Sequence, residues 1–544
     1  LDIAWIHRTG DMRDKANVIG EAAAEGTAIF VEDSLIFCTP FNEVIALDPG
    51  SGEERWRFDA KINLQQRPAN QFVCRGVSYW QAQDKQETGH DSLCSSRIFM
   101  GTNDARLFAI DAKTGLACKD FGEGGQLKIE SSIALKWPGE HQITSPPAIA
   151  QNTVIVGSSI GDNARVLAPA GTVHAFDVIS GELRWTFDPI PRTPDADGRD
   201  SWKTKQAPRE GHANVWAPMS VDAERNLVFL PTSSPSPDFY GGLRPGDNRH
   251  ADSVVALNAD SGEIRWSFQT VHHDIWDYDL PAQPGLYSVW KDGASHDVVA
   301  QVTKTGFVFV LDRDTGVPFL PIEERPVPQS AVAGEVLSPT QPYPSLTPPI
   351  VPHAVSADDA FGLTWFDKEA CRKRIEASDA GGIFTPPSEK GLIMMPFSGG
   401  GANWGGAAFD PARNLLVVNM SNMANHITLF PAEKTQSIRE VFHNQEVAPQ
   451  EGAPYALKRE LLLSPLGLPC TPPPWGVIAG IDLSSGDIVW RKTLGSTEDL
   501  APGPAFDLGT PNLGGPIVTA GGLVFIGAAL DNYLRAFDVD NGEE

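Results

Sequence analysis

The chain has 544 residues, 41% of them hydrophobic and 21% charged, with a formal net charge of −26. It is long enough to bury a large core and has the balance of an ordinary soluble globular protein. The acidity argues against a nucleic-acid partner, whose phosphates need a basic footprint, and against adhesion to anionic lipid by charge alone. No run approaches the roughly 18 apolar residues that span a bilayer. Leu1-Asp-Ile-Ala-Trp-Ile-His-Arg8 reads as mature sequence, with any export signal or membrane anchor removed.

In chain order, the first strong pattern is a repeat. Val44-Ile-Ala-Leu-Asp-Pro-Gly-Ser-Gly-Glu-Glu-Arg-Trp56 recurs as Val173-His-Ala-Phe-Asp-Val-Ile-Ser-Gly-Glu-Leu-Arg-Trp185. It returns as Val254-Val-Ala-Leu-Asn-Ala-Asp-Ser-Gly-Glu-Ile-Arg-Trp266 and Ile478-Ala-Gly-Ile-Asp-Leu-Ser-Ser-Gly-Asp-Ile-Val-Trp490, with weaker copies at 107–115, 308–316 and 534–542. The template is an alternating strand, Asp or Asn, a turn closed by Gly, then a strand bearing Trp. Glycine supplies the positive φ, and Asp or Ser caps the turn. The tryptophan is placed to pack sideways on the neighbouring unit.

Most spacings between the turn glycines suit four strands plus loops. The long gap after Gly316 must hold extra strands, such as 405–419. Segments 318–352 and 434–465 are expected as loop insertions on one face of a single domain spanning 1–544. Seven or eight four-stranded units on a ring predict an all-β fold, a β-propeller with tryptophan-docking repeats. The last copy stops at Asn541-Gly-Glu-Glu544, before its expected Trp, so closing C-terminal strands are expected beyond it.

The six cysteines are Cys38, Cys74, Cys94, Cys118, Cys371 and Cys470. None forms a CxxC pair, which argues against a zinc site. Cys74 and Cys94 flank a polar segment, 75–93, that reads as a loop. A disulfide across it, or buried free thiols, fit the spacing equally well.

The densest chemistry lies in Thr270-Val-His-His-Asp-Ile-Trp-Asp-Tyr-Asp-Leu-Pro-Ala-Gln-Pro284. Asp274, Asp277 and Asp279 sit among aromatics, between one repeat and the next. Such acidic density in an apolar frame suits a divalent metal and a base that removes a proton.

Taken together, the motifs resemble the quinoprotein dehydrogenases that use pyrroloquinoline quinone (PQQ), in the membrane-associated branch of glucose, quinate and polyol dehydrogenases. The resemblance runs through Cys74-Arg-Gly-Val-Ser-Tyr79, Ile143-Thr-Ser-Pro-Pro147, Trp216-Ala-Pro218, the acidic segment, Lys304-Thr-Gly306, Gly382-Ile-Phe-Thr-Pro-Pro-Ser388 and Asp531-Asn-Tyr-Leu-Arg-Ala536. It implies an eight-bladed propeller with PQQ near the ring axis and a Ca²⁺ or Mg²⁺ ion on the quinone. Asp277 matches the catalytic aspartate. Lys304 matches a cation at the quinone oxygens, where it would stabilise the reduced form. Arg75 and Thr144 match positions that hold PQQ carboxylates, Trp216 the floor under the ring, and Asn403 and Trp404 its vicinity. Asp162 and Asn163, with Asp277, match the metal site, and Ser236 a further pocket position.

Two departures bear on substrate. Trp80 stands where glucose-oxidising members carry His, and Ser398 where they carry Asn. Trp80 in the pocket would disfavour glucose and suit quinate, shikimate or an acyclic polyol such as glycerol or sorbitol. With no CxxCH haem motif, electrons are expected to leave to ubiquinone at the outer face of the bacterial inner membrane, in the periplasm, through a membrane anchor absent from this chain. The rival reading is a non-catalytic propeller scaffold, which would lack the acidic segment and Lys304.

Overall fold

In the computed structural model, which describes residues 2–82, 93–443, 445–498, 500 and 506–544, the repeat folds as the outer hairpin of an antiparallel sheet. In one copy Ser253–Asn258 pairs with Ile264–Gln269. Asn258 Oδ1 accepts the backbone N–H groups of Asp260 and Ser261, and Gly262 takes φ +73°. This is the turn chemistry the repeat calls for.

Seven antiparallel sheets follow one another among the described residues, spanning 29–59, 78–128, 148–187, 220–269, 285–312, 407–493 and 517–538; five have the expected four strands, and those at 285–312 and 517–538 have three. The first strand of every sheet reaches one central channel of about 930 Å³, from Ile29 in the first to Ile517 in the last. Apolar side chains fill the spaces between neighbouring sheets, as where Phe99 and Leu107 of the second meet Val154 and Val156 of the third. The architecture is a β-propeller.

The tryptophans lock the blades together. Trp56 lies on Gly115, Trp185 on Gly262, Trp266 on Gly316 and Trp490 on Gly542; a Cβ there would come within 2.7 Å of the indole. The indole N–H of Trp185 also donates to the Ala259 carbonyl at 2.9 Å. Trp5 lies on Gly52 in the same way. Each of those four tryptophans docks on the blade that follows its own, so Trp5 marks an eighth position on the ring, before the first sheet.

Three expectations need correction. Segment 318–352 carries a hairpin, Ile322–Pro326 with Thr340–Pro344. Segment 434–465 carries a helix, Thr435–Val441, and the strands Glu446–Ala448 and Tyr455–Leu461. These two strands join Leu392–Met394 and Asn425–Pro431 in a four-stranded sheet inserted into the sixth blade. Its Leu392, Ile427, Leu429 and Leu457 pack with Trp276 and Tyr278 of the acidic segment, so the inserted sheet roofs that segment. Cys74 and Cys94 are not bridged to each other. The disulfides are Cys38–Cys74, Cys94–Cys118 and Cys371–Cys470, which use all six cysteines. Segment 75–93 begins with a strand, Ser78–Gln81, while residues 83–92 lie outside the described residues.

Candidate active site

Over one end of the channel is a cavity of about 480 Å³. Lys304 enters it from the tight turn between the second and third strands of the fifth blade, closed by Gly306 at φ +76°. Asp277 and Asp279 enter from the crossing between the fourth and fifth blades. That crossing is pinned under the inserted sheet: the Trp276 indole N–H donates to Thr385 O at 2.7 Å and the Tyr278 hydroxyl to Pro396 O at 2.6 Å.

The Lys304 ammonium lies between two carboxylates, 2.9 Å from Asp277 Oδ1 and 2.5 Å from Asp279 Oδ1. Arg459, from the inserted sheet, reaches the other oxygen of Asp277 at 3.2 Å. Asp277 itself has φ +60°, a left-handed conformation uncommon outside glycine that aspartate adopts more readily than most residues. Burial pushes its carboxyl well above the usual range; Lys304 pulls it down, and Asp279 and Asp238 add to the rise.

The floor is Trp216, whose indole N–H donates to Asp279 Oδ2. The Arg75 guanidinium lies 4.9 Å from the Trp216 ring centroid. It donates to Thr144 Oγ1 at 2.8 Å and pairs with Glu25 at 2.8 Å, while its Nε is buried without a partner. Asn403 lines the cavity, but its side chain is engaged locally with Gly399 O and the Trp404 N–H, both at 2.6 Å. The Trp404 indole N–H is buried and unpartnered.

At another wall, Asp162, His212 and Asp238 present ligand atoms within 4.8 Å of one another. Asp162 is open to the cavity yet walled in by protein, and burial followed by the Asp238 carboxylate raises its pKa to about 6. Burial works against charging His212, but Asp238 and Asp162 outweigh it and its pKa is raised. His212 Nε2 and both side-chain polar atoms of Asn163 are buried without partners.

The structure thus brings together Asp277, Lys304, Arg75, Thr144, Trp216, Asn403, Trp404 and Asp162 around one cavity. Asn163 is buried next to it. Trp80 and Ser236 are not among the residues lining this cavity. Trp80 is packed between the second and third blades with Phe99 and Val156, and its indole N–H faces Asn152 Oδ1 at 3.3 Å. Ser236 is buried, donating to Val166 O at 2.6 Å; two residues on, Asp238 reaches the cavity instead. Glu25, His212, Asp238 and Arg459 line the cavity without having been singled out. The first three are ordinary polar residues in loops, and Arg459 lies in the segment read as an insertion.

A family model described as "PQQ: Glucose/ethanol/alcohol dehydrogenase, beta-propeller domain" matches residues 1–544. The chain belongs to this family of PQQ dehydrogenases. It is 40% identical to the quinoprotein glucose dehydrogenase of Escherichia coli, over 100% of this chain and 69% of that protein. It is 36% identical to the quinate/shikimate dehydrogenase (quinone) of Acinetobacter baylyi, over 100% of this chain and 69% of that protein. Among solved structures, the quinohemoprotein alcohol dehydrogenase ADHIIG of Pseudomonas putida has the same fold, with TM-score 0.66 and 22% identity over 96% of this chain and 66% of that one. The protein is an oxidoreductase of a family that uses PQQ and a metal ion such as calcium.

The residues present fit both groups. Five lining carboxylates, Glu25, Asp162, Asp238, Asp277 and Asp279, face three permanent cations, Arg75, Lys304 and Arg459. The negative excess suits a divalent cation with oxygen and nitrogen donors. Arg75, Thr144, Lys304 and the free Trp404 N–H give donors for an anionic planar ring, with indole faces to stack on.

Proposed function

We propose that this PQQ dehydrogenase oxidises a secondary alcohol on a polyol or cyclic hydroxy acid, of the quinate or shikimate type, and passes the electrons to membrane quinone. The observation that carries the reading is the Asp277 carboxylate, set at the cavity between Lys304 and Arg459. Arg75, Thr144, Trp216, Lys304, Asn403 and Trp404 would hold PQQ. Asp162, His212 and Asp238, with Asn163 and Asp277 beside them, would hold the divalent ion.

When bound, PQQ supplies the two-electron acceptor and the metal ion the Lewis acid that makes it electrophilic. Asp277 takes the hydroxyl proton, because an alcohol C–H is a poor hydride donor until its O–H proton is leaving. Lys304 and Arg459 favour its ionised form against the cost of burial. The inserted sheet packs on Trp276 and Tyr278, the neighbours of Asp277, and so fixes the segment that carries the carboxylate.

Arg459 is already paired with Glu446, through Nε at 2.8 Å and Nη2 at 2.9 Å, and with Asp277, so the cyclic hydroxy-acid reading is supported by the 36% identity to a quinate/shikimate dehydrogenase. With Trp80 outside the cavity, its argument against a sugar lapses, while Ser398, the other departure, does line the cavity. Glucose therefore stands as the second reading, supported by the 40% identity to a glucose dehydrogenase. Disulfides at all six cysteines fit an oxidising, periplasmic setting. No helix among the described residues is long and apolar enough to cross a membrane.

The test is reconstitution with PQQ and Ca²⁺, assayed with a dye acceptor against quinate, shikimate, glycerol, sorbitol and glucose. Chelation is expected to abolish activity, and Ca²⁺ to restore it. The highest kcat/KM on quinate or shikimate is expected; the highest on glucose would move the assignment to the sugar. Absence of any PQQ-dependent oxidation would refute it.

A further inference from the structure

Two buried aspartates beside the cavity have no role in the account above. The oxygens of Asp274 accept the backbone N–H groups of Trp276 and Tyr278, each at 3.0 Å. These residues flank Asp277, whose φ of +60° is costly for a residue with a side chain and has to be held. Asp274 Oδ2 also accepts the Ser234 hydroxyl. On its other side, Ser234 Oγ lies 2.9 Å from Asp252 Oδ1. Asp252 is buried too, and its Oδ2 has no partner.

A serine hydroxyl has one hydrogen. Between two carboxyl groups it can donate to only one, so the other must bring its own proton or meet Ser234 with lone pair against lone pair. Asp274, which already accepts two backbone N–H groups, is the ionised partner. Asp252 is then the acid, donating from Oδ1 to Ser234 Oγ. Its unpartnered Oδ2 becomes a neutral carbonyl oxygen, far cheaper to bury than half of a bare carboxylate.

The surrounding charges agree. Asp252 faces the Asp274 and Asp279 carboxylates, with Arg244 as the opposing cation. Arg244 is engaged elsewhere, donating to Asn248 Oδ1 and to the carbonyls of Pro237 and Asp274. Burial first, then the two carboxylates, push Asp252 well above the usual range, whereas Asp274 is raised only to about 6.

We propose that Asp252 is a buried neutral acid that locks an ionised Asp274 through Ser234, and that Asp274 is the positioning residue that holds Asp277 at the cavity. The functional half of this rests on Asp277 being the base.

The lock is read in the PQQ- and Ca²⁺-loaded protein. Infrared difference spectra of wild type against Asp252→Asn are expected to show the loss of one protonated-carboxyl band. Asp252→Asn, neutral and of the same shape, is expected to restore turnover that Asp252→Ala loses. Asp274→Asn sets an amide N–H against one of the two backbone N–H groups. Amide exchange at Trp276 and Tyr278 then speeds up. The variant's kcat falls by about 10²-fold, the scale of a misplacement of about 1 Å, with KM little changed.

Exchange and infrared readouts hold even if Asp277→Asn turns over normally, so failure of the base and failure of the lock are separable. If Asp274→Asn does not fold, Ser234→Ala carries the test: it removes the bridge, and the acid band must shift as Tyr278 exchange rises. The proposal is overturned by the absence of that band, by equal turnover of Asp252→Ala and Asp252→Asn, or by unchanged exchange in the Asp274→Asn and Ser234→Ala variants.

Discussion

Replacing Lys304 by methionine removes an ammonium and keeps nearly the same length of chain. Its Nζ lies 2.9 Å from Asp277 Oδ1 and 2.5 Å from Asp279 Oδ1. At an effective dielectric of about 20, each contact is worth about 6 kcal/mol gross. Desolvation of the buried ammonium offsets much of this. Breaking a buried pair by removing one partner costs about 3–5 kcal/mol, because the other charge is left uncompensated. Two carboxylates are left here, with Arg459 and the Trp216 indole N–H as remaining partners. Lys304→Met is therefore expected to lower stability by about 3–5 kcal/mol in urea titration. It also moves the acid limb of the kcat/KM profile to higher pH, since the cation that lowers the Asp277 pKa is gone. Unchanged stability together with an unchanged acid limb would refute the claim that Lys304 is the counter-charge of this pair.

Gly262→Ala would place a Cβ 2.7 Å from the Trp185 ring at φ +73°. A loss of about 1–3 kcal/mol is expected from overpacking, read as a lower melting temperature; no change would contradict docking as a source of stability. Glu460 is held at a pKa of about 2, by the His426 ring first and then by Lys458 and Arg374. A depressed folded-state pKa contributes in full above the unfolded glutamate value of about 4.3, and the contribution is lost as pH falls through the folded value. The stability gap between wild type and Glu460→Gln should accordingly be open at pH 7 and close on acidification toward about 2; a gap independent of pH would contradict the pairing.

Much of the fold could be read from the repeat because its signals are local. A turn glycine and a tryptophan four residues later specify both a hairpin and a sideways contact, and Trp185 on Gly262 shows both. The inserted sheet was illegible because its strands pair across long gaps, as Asn425–Pro431 does with Tyr455–Leu461. The disulfides escaped for the same reason: six cysteines allow fifteen connectivities, and spacing does not choose among them.

At the site, the acidic segment was legible because its three carboxylates cluster between one repeat and the next, whereas Lys304 was legible only through the resemblance of its Lys-Thr-Gly motif. Trp80 misled. It is five residues beyond Arg75, and a chain advancing about 3.3 Å per residue along a strand carries it away from the cavity into the space between two blades. His212, Asp238 and Arg459 converge only once the propeller and its insertion are folded.

The central claim is that Asp277 removes the substrate's hydroxyl proton. The most direct measurement is the kcat of Asp277→Asn, reconstituted with PQQ and Ca²⁺, beside its PQQ affinity by fluorescence titration. Retained PQQ binding and a fall in kcat of about 10²-fold or more, the scale of a general base, are expected. Turnover near that of the wild type, with the cofactor bound, would contradict it.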